Sequence, residues 1–273
     1  AQEHMKKEQA RNWAENYDKL SMEELKALMP NFNWDVFVKA SGFDMPESMI
    51  IMQNDFLTGI DKVIAETSLD DWKSFLQWGV INSSASSLNM EMDKANFDFY
   101  STILYGVEEQ RPMWRRATGL LNSTLGEVIG KVYVKQHFPP EAKQRMQVMV
   151  DNLISAYEVS IKDLDWMTDE TRIQALEKLS KFTVKIGYPD KWKDYSALEV
   201  SDTDLFGNLR NAANVTYAEE LAKQGKPVDK TEWGMTPQTV NAYYNPTANE
   251  IVFPAAILQP PFFDLEADDA ANY

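Results

Sequence analysis

The chain has 273 residues, 44% of them hydrophobic and 12% aromatic, enough for a buried core in one large domain or two modest ones. Its 42 acidic against 27 basic residues leave a net charge of −15, which repels phosphate backbones and argues against nucleic acid as a partner. Cysteine is absent, which excludes disulfide frameworks, thiol catalysis and cysteine-held zinc, and no apolar run reaches the ~18 residues of a membrane span.

The polar start, AQEHMKKEQARNW, lacks the apolar centre of a signal peptide. Ser21-Met22-Glu23-Glu24 reads as a capping box, and Pro30 stops the short helix behind it. A second cap, Ser68-Leu69-Asp70-Asp71, opens a helix predicted to lay Trp72, Phe75, Leu76 and Gly79-Val80 into a core. Pro139-Pro140 starts the longest helix, about 140–165, with Met146, Met149, Val150, Leu153, Tyr157, Ile161 and Leu164 in one stripe. The next, about 169–182, turns Ile173, Leu176 and Leu179 inward. Ile186-Gly187-Tyr188-Pro189 then breaks the pattern, and residues 190–195 read as irregular connection. A last helix, about 202–223, runs from the Ser201-Asp202-Thr203-Asp204 cap to Gln224-Gly225. No internal repeat or low-complexity tract occurs. The reading is mainly α: a helical lobe over residues 1–187, then, over 188–273, the first part of an α+β unit with a strand and hairpin near 240–254.

Catalytic motifs are missing. The two histidines, His4 and His137, lie far apart, and the HExxH pattern that puts two imidazoles one helical turn apart does not occur. His137, at a helix end, reads as a packing or capping residue, and His4 as a solvated one. No GxSxG elbow, phosphate-binding loop or dinucleotide fingerprint is present. The adjacent pairs Glu108-Glu109 and Asp268-Asp269 read as solvated, so a carboxylate-based hydrolase has no supporting pair.

The stretch from Asn241 to Asp264, NAYYNPTANEIVFPAAILQPPFFD, alternates like a strand, turns at Asn245-Pro246 and becomes apolar. An exposed edge carrying Asn241-Ala242 can add an extended peptide as a further strand, with the carboxamide both donating and accepting. Ile257, Leu258, Phe262 and Phe263 could line a side-chain pocket, or simply be core.

The same stretch, from Asn241-Ala242-Tyr243-Tyr244 through Asn249-Glu250-Ile251-Val252-Phe253-Pro254 to Phe262-Phe263, resembles the neprilysin and endothelin-converting-enzyme family of zinc endopeptidases, in its bacterial PepO-like branch. Phe97-Asp98-Phe99-Tyr100, Arg111-Pro112-Met113-Trp114-Arg115-Arg116 and Lys185-Ile186-Gly187-Tyr188-Pro189 are similar to that family too. The resemblance implies a helical lobe capping a thermolysin-like catalytic lobe, peptide substrates, and zinc in the complete enzyme. It implies that Asn241 bonds the amides flanking the scissile bond, that Ala242 adds main-chain contacts, and that Ile257 and Phe262 line the pocket just after it. The family's zinc helix and its later ligands have no counterpart here, so the chain resembles an internal piece, expected to bind no zinc and to be inactive alone. Its expected partners are peptides and the remainder of the catalytic lobe, possibly a second chain. The bacterial relatives imply a periplasmic or envelope location. A non-catalytic, helical peptide- or protein-binding module is the alternative.

Overall fold

A computed structural model of the chain describes residue 12 and residues 16–273; His4 lies outside them. In chain order the elements are β1 (Asp18–Ser21), α1 (Met22–Leu28), α2 (Trp34–Ser41), β2 (Ser48–Ile51), α3 (Asn54–Glu66), α4 (Leu69–Leu88), α5 (Met90–Phe97) and a π-helical stretch, Asp98–Ile103. There follow α6 (Met113–Thr124), α7 (Gly126–His137), α8 (Pro140–Lys162), α9 (Asp169–Ser180), β3 (Thr183–Gly187), α10 (Leu205–Leu221), β4 (Tyr243–Asn245), β5 (Glu250–Pro254) and α11 (Asp269–Asn272). Helix dominates, as expected. The chain folds as two compact units, residues 1–110 with 200–227 and residues 111–199 with 228–273.

In the first unit β1 and β2 pair antiparallel, Asp18 opposite Ile51 and Ser21 opposite Ser48. The capping box forms: Glu24 N–H donates to Ser21 Oγ (3.3 Å) and Ser21 N–H to Glu24 Oε2 (2.8 Å). It starts α1 so that Met22 and Leu25 join Met29 and Trp34 in a buried cluster, against Leu57, Ile60 and Ile64 of α3. Buried Asp61 ties α3 to the turn after α1 by accepting from Asn31 N–H (2.9 Å) and Nδ2 (2.8 Å). Ser68 caps α4 as expected. The expected aromatic face of α4 does not reach a core: Phe75, Leu76 and Val80 are 60%, 59% and 63% exposed. Apolar residues, Trp78 and Ile81 included, surround this helix, so no single stripe exists to bury, and within it only Ala85 is buried. Helix α10 starts later than expected because Asp204, not Ser201, caps it, with Oδ1 accepting from Gly207 N–H at 2.7 Å.

The second unit is built on a three-stranded sheet of order β3-β5-β4. Strand β5 pairs parallel with β3 and antiparallel with β4. The expected boundary near Tyr188 therefore falls at the end of β3, inside this unit. Helix α8 covers one sheet face: Ala142, Met146 and Val150 are buried with Phe138, Ile186, Ala255, Leu258 and Phe263. Only the first half of the predicted α8 stripe is core, since Leu153 and Tyr157 remain 40% and 63% exposed. On α9, Ile173 points outward (67% exposed) rather than inward. At 100° per residue it lies well round the helix from Ala175 and Leu179, which face α8 and the sheet. Gly187 has φ +80°, and a Cβ there would sit 2.5 Å from Phe138 Cε1, so glycine alone lets β3 close on this core.

Candidate functional site

Strand β5 is the centre from which the site is positioned. Its Glu250 pairs with Lys185 of β3 at 2.7 Å, both side chains less than a tenth exposed. Lys185 Nζ also donates to Glu232 O at 2.6 Å. A buried charge pair is tolerated only when its hydrogen bonds are made, and this one ties the two parallel strands to residue 232. Sequence reading missed it. The available signal was a lone lysine between Val184 and Ile186 in an otherwise apolar strand.

Outside β5, β4 is the edge strand, with no strand on its other side among the described residues. The chain enters β4 through Asn241-Ala242, and several contacts hold that entry. Gln238 Nε2 donates to Asn122 Oδ1 (3.1 Å) and Gly126 O (2.9 Å), Ala256 N–H donates to Pro237 O (2.9 Å), and Asn241 N–H to Thr239 O (3.0 Å). Asn241 is exposed and Ala242 half-buried. Ala242 N–H donates to the Asn241 Oδ1 beside it (2.8 Å), a bond that does not use the two donors of the carboxamide NH₂.

The apolar stretch after β5 divides. Leu258 and Phe263 are core at 5% and 3% exposure, Ile257 is half-buried against them, and Phe262 is 64% exposed. The sequence left core and pocket open as alternatives, and Leu258 and Phe263 are core. The stretch is fixed by Ala255 N–H donating to Gly187 O (2.8 Å) and by Gln259 Nε2 donating to Tyr133 Oη (2.8 Å) and His137 O (3.1 Å). Burial pushes the Tyr133 phenol above its ordinary pKa, offset in part by the Gln259 bond, so it stays protonated at neutral pH. Beyond Phe263, Arg145 of α8 donates to Leu265 O, to Ala267 O (2.6 Å) and to Asp269 Oδ1 (2.7 Å), and so holds the following turn.

The arrangement offers an open strand edge with a carboxamide at one end and apolar surface nearby, a form that can take up extended main chain. His137 packs its ring 5.1 Å from that of Tyr133 at the end of α7. Among the described residues no three His, Cys, Asp or Glu side chains converge as a metal site requires, so these donors do not fit zinc. No helix among them is long and apolar enough to cross a membrane.

A model of peptidase family M13 matches residues 1–189, and a second model of that family matches residues 241–273. The chain is 33% identical over 264 residues to a neutral endopeptidase of Lactobacillus helveticus, covering 96% of this chain and 41% of that protein. It is 30% identical over 284 residues to Neprilysin-3 of Drosophila melanogaster, covering 97% and 36% respectively. Among solved structures, the zinc metalloprotease ZMP1 of Mycobacterium tuberculosis, in complex with inhibitor, superposes with a TM-score of 0.91 at 43% identity, over 100% of this chain and 41% of that one. PepO from Lactobacillus rhamnosis gives a TM-score of 0.80 at 27% identity, over 93% and 41%. The chain thus spans about two fifths of the length of these relatives.

Proposed function

Because the chain belongs to peptidase family M13, we propose that it forms the substrate-holding part of a zinc endopeptidase, with the edge of β4 binding extended peptide main chain. The observation that carries this reading is the open edge of β4, entered through an exposed Asn241. The Asn241 carboxamide bonds peptide amides, Ala242 permits close approach, and Ile257 with Phe262 receives the side chain after the scissile bond. Their difference in burial suits this: half-buried Ile257 forms a wall and exposed Phe262 a rim.

Zinc and the base that activates water come from polypeptide other than these 273 residues, either a second chain or the rest of a longer one. The absence of HExxH and the separation of His4 from His137 support that assignment. This chain's own residues bind and orient, and no bond-breaking step is assigned to them. The sheet shared by β3 and β5 supports a catalytic lobe that includes β3 together with residues 228–273. A bacterial envelope or periplasmic location goes with the similarity to bacterial relatives, and cell fractionation tests it. For the site itself, fluorescence anisotropy of a labelled extended peptide should show binding to the chain that weakens about tenfold or more in Asn241→Ala, the loss of one or two peptide hydrogen bonds. Unchanged affinity would remove Asn241 from the site.

A further inference from the structure

Beside the β4 edge lies a second feature that the substrate-edge reading does not use: an apolar groove of about 520 Å³ between α8, α9 and the sheet. Leu153 and Tyr157 of α8 form one wall, and Phe182, Tyr244 and Ile251 the other. These α8 residues are the outer half of the predicted stripe, which buries nothing in the core. Phe182 and Tyr244 stack at 6.0 Å and 23° and so hold the wall in shape.

Strand geometry links groove and edge. Tyr244 stands opposite Ile251 in the β4–β5 pair, so both side chains lie on one sheet face, the groove face. A peptide strand added outside β4 continues the pleat, and its residue opposite Tyr244 projects to that same face. At the groove mouth Lys178 Nζ sits 6.0 Å from the Tyr244 ring, and the adjoining polar depression carries Lys230 and Lys181, the latter paired with Glu177 at 2.5 Å. The Lys178 ammonium at the mouth disfavours a cationic side chain and leaves an apolar one unaffected.

We infer that the groove is a specificity subsite for a large apolar or aromatic side chain of the peptide on β4, at the residue opposite Tyr244, separate from the Ile257–Phe262 pocket. This rests on the substrate-edge reading. The groove has room for one aromatic side chain, and its lining is apolar apart from Lys178, Asn249 and the Tyr244 hydroxyl, so it selects chiefly by size and hydrophobicity.

The test is an anisotropy titration of the chain with extended alanine-based peptides in which Phe, and then Lys, is scanned through each position. One position should gain about tenfold in affinity with Phe over Ala, as expected for burying an aromatic side chain, and lose with Lys. Leu153→Lys and Tyr157→Lys, at exposed helical positions that lysine tolerates, should abolish the Phe gain and favour Glu there, while leaving the all-alanine peptide's affinity unchanged. That swap of preference is something a merely structural defect would not produce. If no position gains, or the gain survives both variants while Asn241→Ala still weakens the all-alanine peptide, the subsite is refuted and the edge reading stands. If Asn241→Ala leaves the all-alanine peptide unaffected, the edge reading falls and the subsite with it.

Discussion

Replacing Lys185 with Met tests the buried pair that holds the sheet together. The substitution keeps the length of the stem but leaves Glu250, whose side chain is 7% exposed, without its counter-charge at 2.7 Å, and Glu232 O without its donor. Removing one partner of a buried ion pair costs about 3–5 kcal/mol, most of it the desolvation of the charge left behind. By contrast Lys143 and Asp190, at 3.3 Å with the aspartate 98% exposed, form a pair worth at most about 1 kcal/mol. Native-state hydrogen exchange at the Ile251 and Val252 amides, where β5 pairs with both β3 and β4, reads the loss directly. Lys185→Met should speed that exchange by about a hundredfold or more, whereas Lys143→Met should leave it nearly unchanged. Replacing the whole pair, Lys185→Met with Glu250→Leu, should recover most of the loss, since no uncompensated charge then remains. Equal, small effects of Lys185→Met and Lys143→Met would refute the argument that burial makes this pair decisive.

Three further outcomes follow from local geometry. Gly187→Ala forces φ +80° on a residue with a Cβ and drives that Cβ into Phe138, so urea unfolding should show a loss of about 2 kcal/mol or more. Phe263→Ala should cost about 3–5 kcal/mol and Phe262→Ala less than about 0.5 kcal/mol, because the first is 3% and the second 64% exposed. The Glu24 carboxyl, held below its ordinary pKa by hydrogen bonds from the Ser21 backbone and side chain, favours folding above the ordinary carboxylate range and loses that contribution as pH falls through its lowered value. NMR titration should show this value rise only part of the way back in Ser21→Ala, which removes the hydroxyl bond and keeps the larger bond from the residue-21 backbone N–H.

Local signals were legible and distant ones were not. Ser21 and Ser68 caps, the Pro140 start of α8 and the 243–254 hairpin each depend on neighbours within a few residues, and all appear. Strand β3 escaped notice because its partner, β5, lies more than 60 residues on, and nothing in Thr183-Val184-Lys185-Ile186 announces a parallel pairing at that range. The α4 residues and the outer α8 stripe look like core by type, yet burial depends on what packs against them. For the site, the β4 edge was legible in part, because an alternating strand followed by a turn is a local pattern, but the strand begins at Tyr243, after the Asn241-Ala242 pair expected within it. The split of Phe262 from Phe263 was not, since their stretch lacks regular periodicity. The groove was readable only in part: its α8 wall was seen as a stripe, and its other wall is made by the sheet.

The central claim is that this chain grips a peptide's main chain and leaves the cutting to donors it does not contain. The direct measurement is mass spectrometry of a labelled extended peptide incubated with the purified chain, with chelator or with added zinc, alongside its binding isotherm. The same Asn241-dependent affinity and an intact peptide under both conditions is the predicted result. Cleavage that appears with zinc and disappears with chelator would contradict it.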